Sequence, residues 1–161
     1  MKKYIVFLLT ALLLVACSND EAAETSFKPG KPVAFELVTY EEKVAPIYMQ
    51  QVPHIAYAIN QEQFDLLRTK FDVENVEIDM DKNMAVFVVA RTDSCGAIAD
   101  GMYNNKNKLS VQLVTPTNDN CDPEPMNHTF VMQVEHGDYE KVELYMGNIL
   151  KSSMDIKEKQ S

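Results

Sequence analysis

The sequence predicts an α+β fold, a mostly antiparallel sheet curled into a small sandwich or partial barrel, with one helix covering an open face. Three observations predict it. About seven short segments have strand composition and are joined mostly by short turns. One stretch only, Gln61 to Phe71, carries a helical period. Met84 to Ala90, MAVFVVA, is the most apolar run after the amino-terminal leader and is too short for a typical buried helix, so it reads as a central strand.

Taken in order, Val33, Phe35, Leu37 and Thr39 alternate with partly polar neighbours, as in a half-buried strand from Val33 to Tyr40. Glu41 to Pro53 shows no readable period, and His54 to Ile59 is again β-rich. Asn60 offers a helix N-cap with Gln63 three residues on, a capping-box arrangement. In the helix that follows, Phe64, Leu67 and Phe71 form one apolar stripe while Glu62, Asp65 and Arg68 face elsewhere. After the central strand, Ala97–Tyr103 and Leu109–Thr115 flank Asn104 to Asn107, whose tolerance for left-handed backbone suits a hairpin turn. Pro116 ends the second arm, and the loop from Thr117 to Asn127 contains Pro123 and Pro125. Strands resume at His128–Glu135 and Glu140–Met146, and the short spacer of His136, Gly137 and Asp138 predicts a terminal hairpin. Lys151 to Ser161, charged and poor in apolar residues, reads as a frayed helix or disordered tail.

The amino end has a different character. Lys2 and Lys3 precede an apolar run from Tyr4 to Val15 broken only by Thr10. About a dozen apolar residues are too few for a spanning helix, which needs roughly 20, so the run reads as a cleaved signal. Leu14, Val15, Ala16 and Cys17 resemble the lipobox of bacterial lipoproteins. That resemblance implies cleavage between Ala16 and Cys17 and acylation of Cys17, with two or three long chains anchoring the mature protein to a bilayer. The organisation expected is a signal peptide over 1–16, a lipidated cysteine and flexible tether over 17–32, a single extracytoplasmic domain over 33–148 and a charged tail over 149–161.

The formal charge of −9 includes Lys2 and Lys3, so the mature chain of 145 residues, after loss of sixteen from 161, carries −11. Such a surface repels phosphates, which argues against a nucleic-acid partner. Outside the cytoplasm Cys95 and Cys121 form an even pair, and a disulfide closing a loop of about 26 residues is the default. The alternative is that Cys95 is a nucleophile assisted by His128, although no Cys-x-x-Cys is present.

Tests for other chemistry return little. Asp79, Asp81 and Asn83 imitate the start of a calcium loop, but Met84 stands where glycine is required and Ala90 where glutamate is. His54, His128 and His136 lack the spacing of a helical zinc site and read as structural or surface residues. Nucleophile elbow, dinucleotide fingerprint and phosphate-binding loop are all missing from the sequence, so neither a catalytic residue nor a cofactor is assigned.

From Met84 to Met146 the order of features resembles the C-terminal domain of the protease-complex subunit PrcB: an apolar strand MAVFVVA, a turn at Cys95-Gly96, a hairpin ending in LSVQLVTP, a proline-containing loop and a strand HTFVMQVE. The glycine-glycine-tyrosine turn of that family is replaced here by Cys95, Gly96 and Ala97. The resemblance implies a lipid-anchored accessory protein that binds and stabilises an extracytoplasmic partner without catalysis of its own.

The expectation is therefore a membrane-anchored binding module facing outside the cytoplasm, in contact with the bilayer through Cys17 and with another extracytoplasmic protein. Its candidate contact loops carry Asp93 and Ser94 on one side and Asn118, Asp119, Asn120, Asp122 and Glu124 on the other, rigidified by the disulfide. The same acid-rich loop makes a small-ligand or divalent-cation binder the alternative.

Overall fold

The computed structural model describes residues 26–116 and 120–157. The expected signal peptide over 1–16, Cys17, the expected tether as far as residue 25, Asn118, Asp119 and residues 158–161 lie outside the described residues. In chain order the elements are β1 (Lys31–Val33), β2 (Phe35–Glu41), a single 3-10 turn (Pro46–Tyr48), β3 (His54–Ala58), α1 (Gln61–Lys70), β4 (Asn83–Thr92), β5 (Ile98–Asn105), β6 (Lys108–Val114), β7 (Met126–Glu135), β8 (Lys141–Met146) and β9 (Ile149–Asp155). They build two sheets, ordered β1-β5-β6-β8-β9 and β2-β7-β4-β3. Every pairing is antiparallel except β6 with β8. The α+β class read from the sequence is the observed one, and of the two arrangements expected, sandwich or partial barrel, the structure has the sandwich, its sheets not closing into a barrel.

The apolar run of β4 follows from its position. Met84, Val86, Val88 and Ala90 face the other sheet, meeting Leu109, Val111, Leu113, Val142 and Leu144. Ala85, Phe87 and Val89 face outward, where Phe64 and Phe71 cover them together with Val73, Val76 and Ile78 of the segment that leaves α1. A strand covered on both faces has no place for a polar side chain. The helix starts where its cap predicts: Asn60 Oδ1 accepts from Gln63 N–H at 3.0 Å. Gln63 Oε1 reaches back to Ile59 N–H, also at 3.0 Å, one residue earlier than in an ordinary capping box. The β5–β6 turn likewise matches its sequence, with Lys106 and Asn107 both at positive φ.

Four expectations are corrected. The terminal hairpin does not form, because β7 is paired on one edge by β2 and on the other by β4 and has no edge left for β8. The chain instead crosses to the second sheet between His136, whose N–H bonds Lys82 O, and Glu140, whose N–H bonds Asn107 O, and β8 lies parallel to β6. Residues 149–155 are a strand rather than a tail, held by backbone pairing to β8 and only half-buried at alternate positions, a support that composition does not reveal. The tether does not extend to residue 32. Phe27 packs on Tyr103 and Tyr145 with ring centroids 5.4 and 5.0 Å apart, and a Cβ at Gly30 would collide with the Asn104 carbonyl, so residues 26–33 lie against the first sheet. Finally, the alternation of β2 breaks at a bulge between Leu37 and Thr39, which puts Tyr40 rather than Thr39 on the inward face, over Phe130.

Among the described residues no helix is long and apolar enough to cross a membrane.

Candidate functional site

The two long seams of the sandwich differ. Where β3 meets β9, Tyr57 Oη donates to Asp155 O at 3.1 Å and accepts from Lys157 N–H at 2.9 Å, and the seam is shut. At the opposite side the chain passes from one sheet to the other between Val33 and Phe35, since β1 pairs with β5 and β2 with β7. β1 covers β5 only over Met102–Asn104, so among the described residues the outer edge of Ile98–Gly101 has no strand hydrogen-bonded to it, and β2 ends its own sheet. Between these two edges lies a groove of about 500 Å³, lined by Phe35, Leu37 and Tyr40 of β2, Ala97, Ile98 and Ala99 at the start of β5, and Phe130 of β7. Leu37 and Ile98 are 44% and 52% exposed, so apolar side chains are held in water on both walls.

One end of the groove is locked by the predicted loops. Cys95 and Cys121 are joined by a disulfide, their Cα atoms 5.3 Å apart. Ser94 N–H donates to Asp122 O at 3.0 Å, and Ser94 Oγ accepts from Asp122 N–H. Asp93 Oδ1 accepts from Cys95 N–H at 3.0 Å, and Asp122 Oδ1 from Glu124 N–H at 3.1 Å. The disulfide thus draws Asp93, Ser94 and Asp122 into one corner, with Asn120 and Glu124 exposed beside it; Asn118 and Asp119 fall outside the described residues. Gly96 turns the chain into the groove at φ 75°, and a Cβ there would stand 3.3 Å from Tyr40 Oη and 3.7 Å from His128 Cε1.

Beneath that turn lies a chain of hydrogen bonds. Thr92 Oγ1 gives its proton to Asp93 O at 3.0 Å, so it accepts from His128 Nε2–H at 2.8 Å. His128 Nδ1 is then the acceptor for Tyr40 Oη–H at 2.7 Å. The Tyr40 and His128 rings are stacked, with centroids 5.6 Å apart. Burial pushes the His128 pKa below the ordinary imidazole value, and the charge of Glu42 offsets part of that. Burial raises the Tyr40 phenol, and Glu42 raises it further. The result is a neutral, fully bonded histidine that fixes the floor of the groove.

Two chemical alternatives lose their parts. The Cys95 sulfur is bonded to Cys121 and is not a free nucleophile, and His128 is engaged by Tyr40 and Thr92. Asp93, Cys95 and Cys121 bring possible metal-binding atoms within 4.8 Å of one another, but the sulfurs are oxidised and the Asp93 carboxylate serves the loop backbone.

The groove residues themselves escape sequence reasoning. Phe35 and Leu37 look like any core-facing pair in a strand, and the bulge that aims Tyr40 at His128 leaves no mark in the sequence. Comparison with protein families, with curated proteins and with solved structures finds no match for this chain.

Proposed function

We propose that this protein is a membrane-anchored extracytoplasmic lipoprotein that works without catalysis, as a binding or accessory module whose contact surface is the open seam of the sandwich. The observation that carries the reading is the apolar groove between β2 and β5, held open at a corner that a disulfide makes rigid. A rigid loop loses little conformational freedom on binding, so more of the contact energy is available for affinity. The sequence Leu14-Val15-Ala16-Cys17 supports the anchor, and a disulfide-bonded pair fits an oxidising compartment. Confinement at a surface raises the effective concentration of the module for neighbouring proteins. A stabilising role toward such a partner, as the likeness to the PrcB domain implies, belongs to the same proposal.

The test has two arms in intact cells. Mass spectrometry of the mature amino terminus is expected to find acyl mass on Cys17, and a photo-crosslinking side chain at Ile98 is expected to trap a protein, while the same probe at Lys151 on the far edge strand does not. A soluble, unacylated product overturns the anchor. Equal labelling from both positions overturns the seam as the contact surface. The groove's apolar lining also supports a second reading, a small apolar ligand, which predicts a thermal shift with fatty acids and no protein adduct.

A further inference from the structure

The open seam presents more than apolar side chains. Among the described residues β2 is paired only by β7 and β5 has no strand hydrogen-bonded to it along Ile98–Gly101, so both walls of the groove are strand edges whose outward N–H and C=O groups have no ladder partner there. A small apolar molecule fills the groove but leaves those edges unpaired, whereas another extended backbone satisfies them and sends alternate side chains inward. The charge around the seam selects further. Among the described residues its lining contains no lysine or arginine, the negative charge of Glu42 acts on both Tyr40 and His128, and Asp100 is exposed at the bulge of β5.

The position of the seam along the molecule adds a third constraint. Ile98 pairs with Val114, and Leu113 with both Ala99 and Met146, so the groove opens at the end of the first sheet that carries the β8–β9 turn. Ser26 bridges Ile149, and Phe27 N–H bonds Asn148 O, at that same end. From Cys17 to Ser26 is nine residues, a span of no more than about 30 Å. The seam therefore lies on the side from which the chain arrives, within reach of whatever holds Cys17.

We propose that the seam receives an extended segment of a partner protein lying close to the bilayer, apolar at alternate positions and basic at its flanks, which adds as a further strand along the free edge of β2. This rests on the binding role proposed above and names the form of its ligand.

The probe is a synthetic peptide of about nine residues with valine and threonine alternating between lysine ends, titrated into the full chain in detergent and followed by anisotropy and by the amide shifts of Phe35–Glu41. Two derivatives are N-methylated on opposite alternating sets of amides. One is expected to bind at least about tenfold more weakly, because its methyl groups replace the donors that face β2, and the other to bind as the parent does. Replacing the terminal lysines by glutamates, or Glu42→Gln and Asp100→Asn in the protein, is expected to weaken binding, and Leu37→Lys to abolish it. Leu37 is already exposed, and should that variant lose its fold by circular dichroism, Ile98→Lys makes the same test from the opposite wall. No binding at millimolar peptide, equal binding of both methylated forms, or indifference to the terminal charges overturns strand addition. So does uptake of a free fatty acid that shifts the groove residues when the peptide does not. The two proposals fail separately: protein adducts at Ile98 without a peptide response refute the strand and keep the binding role, and absence of adducts refutes the role itself.

Discussion

Gly96 and His128 show how single residues set the site. At Gly96 a positive φ and a close approach to Tyr40 coincide, so Gly96→Ala is expected to cost about 1–2 kcal/mol in urea unfolding, with the largest spectral change at Tyr40. His128 and His54 are both held below the ordinary imidazole pKa by burial. For a base whose folded pKa is lowered, the unfolded chain binds more protons in the interval between the two values, so stability rises with pH through that interval. The expected profile is a plateau above about pH 6.5 and a loss of stability as pH falls below it toward the folded values. His128→Gln is expected to flatten part of that slope in denaturant titrations at stepped pH; an unchanged slope would mean that His128 titrates normally. From the sequence, His128 reads as a strand residue of structural or surface role or as the assistant of a nucleophilic Cys95, and its actual bonding is hidden because its partners lie 88 and 36 positions away at Tyr40 and Thr92.

Elements fall into two groups, those fixed by neighbours in sequence and those fixed by neighbours in space. Helix α1 belongs to the first. Its start is written in Asn60 and Gln63, and Asn60→Ala is expected to destabilise the protein by about 1 kcal/mol, measured by thermal or urea unfolding. The β5–β6 turn is equally local, since two adjacent residues able to take positive φ suffice. β4 was legible for a different reason, its unbroken apolar run, which implies cover on both faces. β8 and β9 belong to the second group. A spacer as short as His136 to Glu140 fits a hairpin, and only the occupation of both edges of β7 sends the chain across to pair in parallel with β6. β9 carries polar residues at half its positions and is defined by the strand beside it.

At the scale of the whole molecule the decisive contrast is between a seam closed by Tyr57 and a seam left open between β2 and β5. The disulfide ties the open side together across 26 residues of chain. Replacing both Cys95 and Cys121 by serine is expected to remove about 3.5 kcal/mol of stability, read from urea midpoints, and to weaken the binding proposed for the seam by freeing the turn at Gly96. The sequence by itself determined the α+β class, the helix and its cap, the central strand, the hairpin turn and the cysteine pair, because each depends on periodicity, turn chemistry or the count of a residue type, all of which act over a few residues or over composition. The tertiary structure alone decided which strands share a sheet, which way β2 turns at its bulge, and that one seam stays open as an apolar groove. Those features depend on which edges are already paired, and edge occupancy belongs to the assembled sheets and to no segment within them.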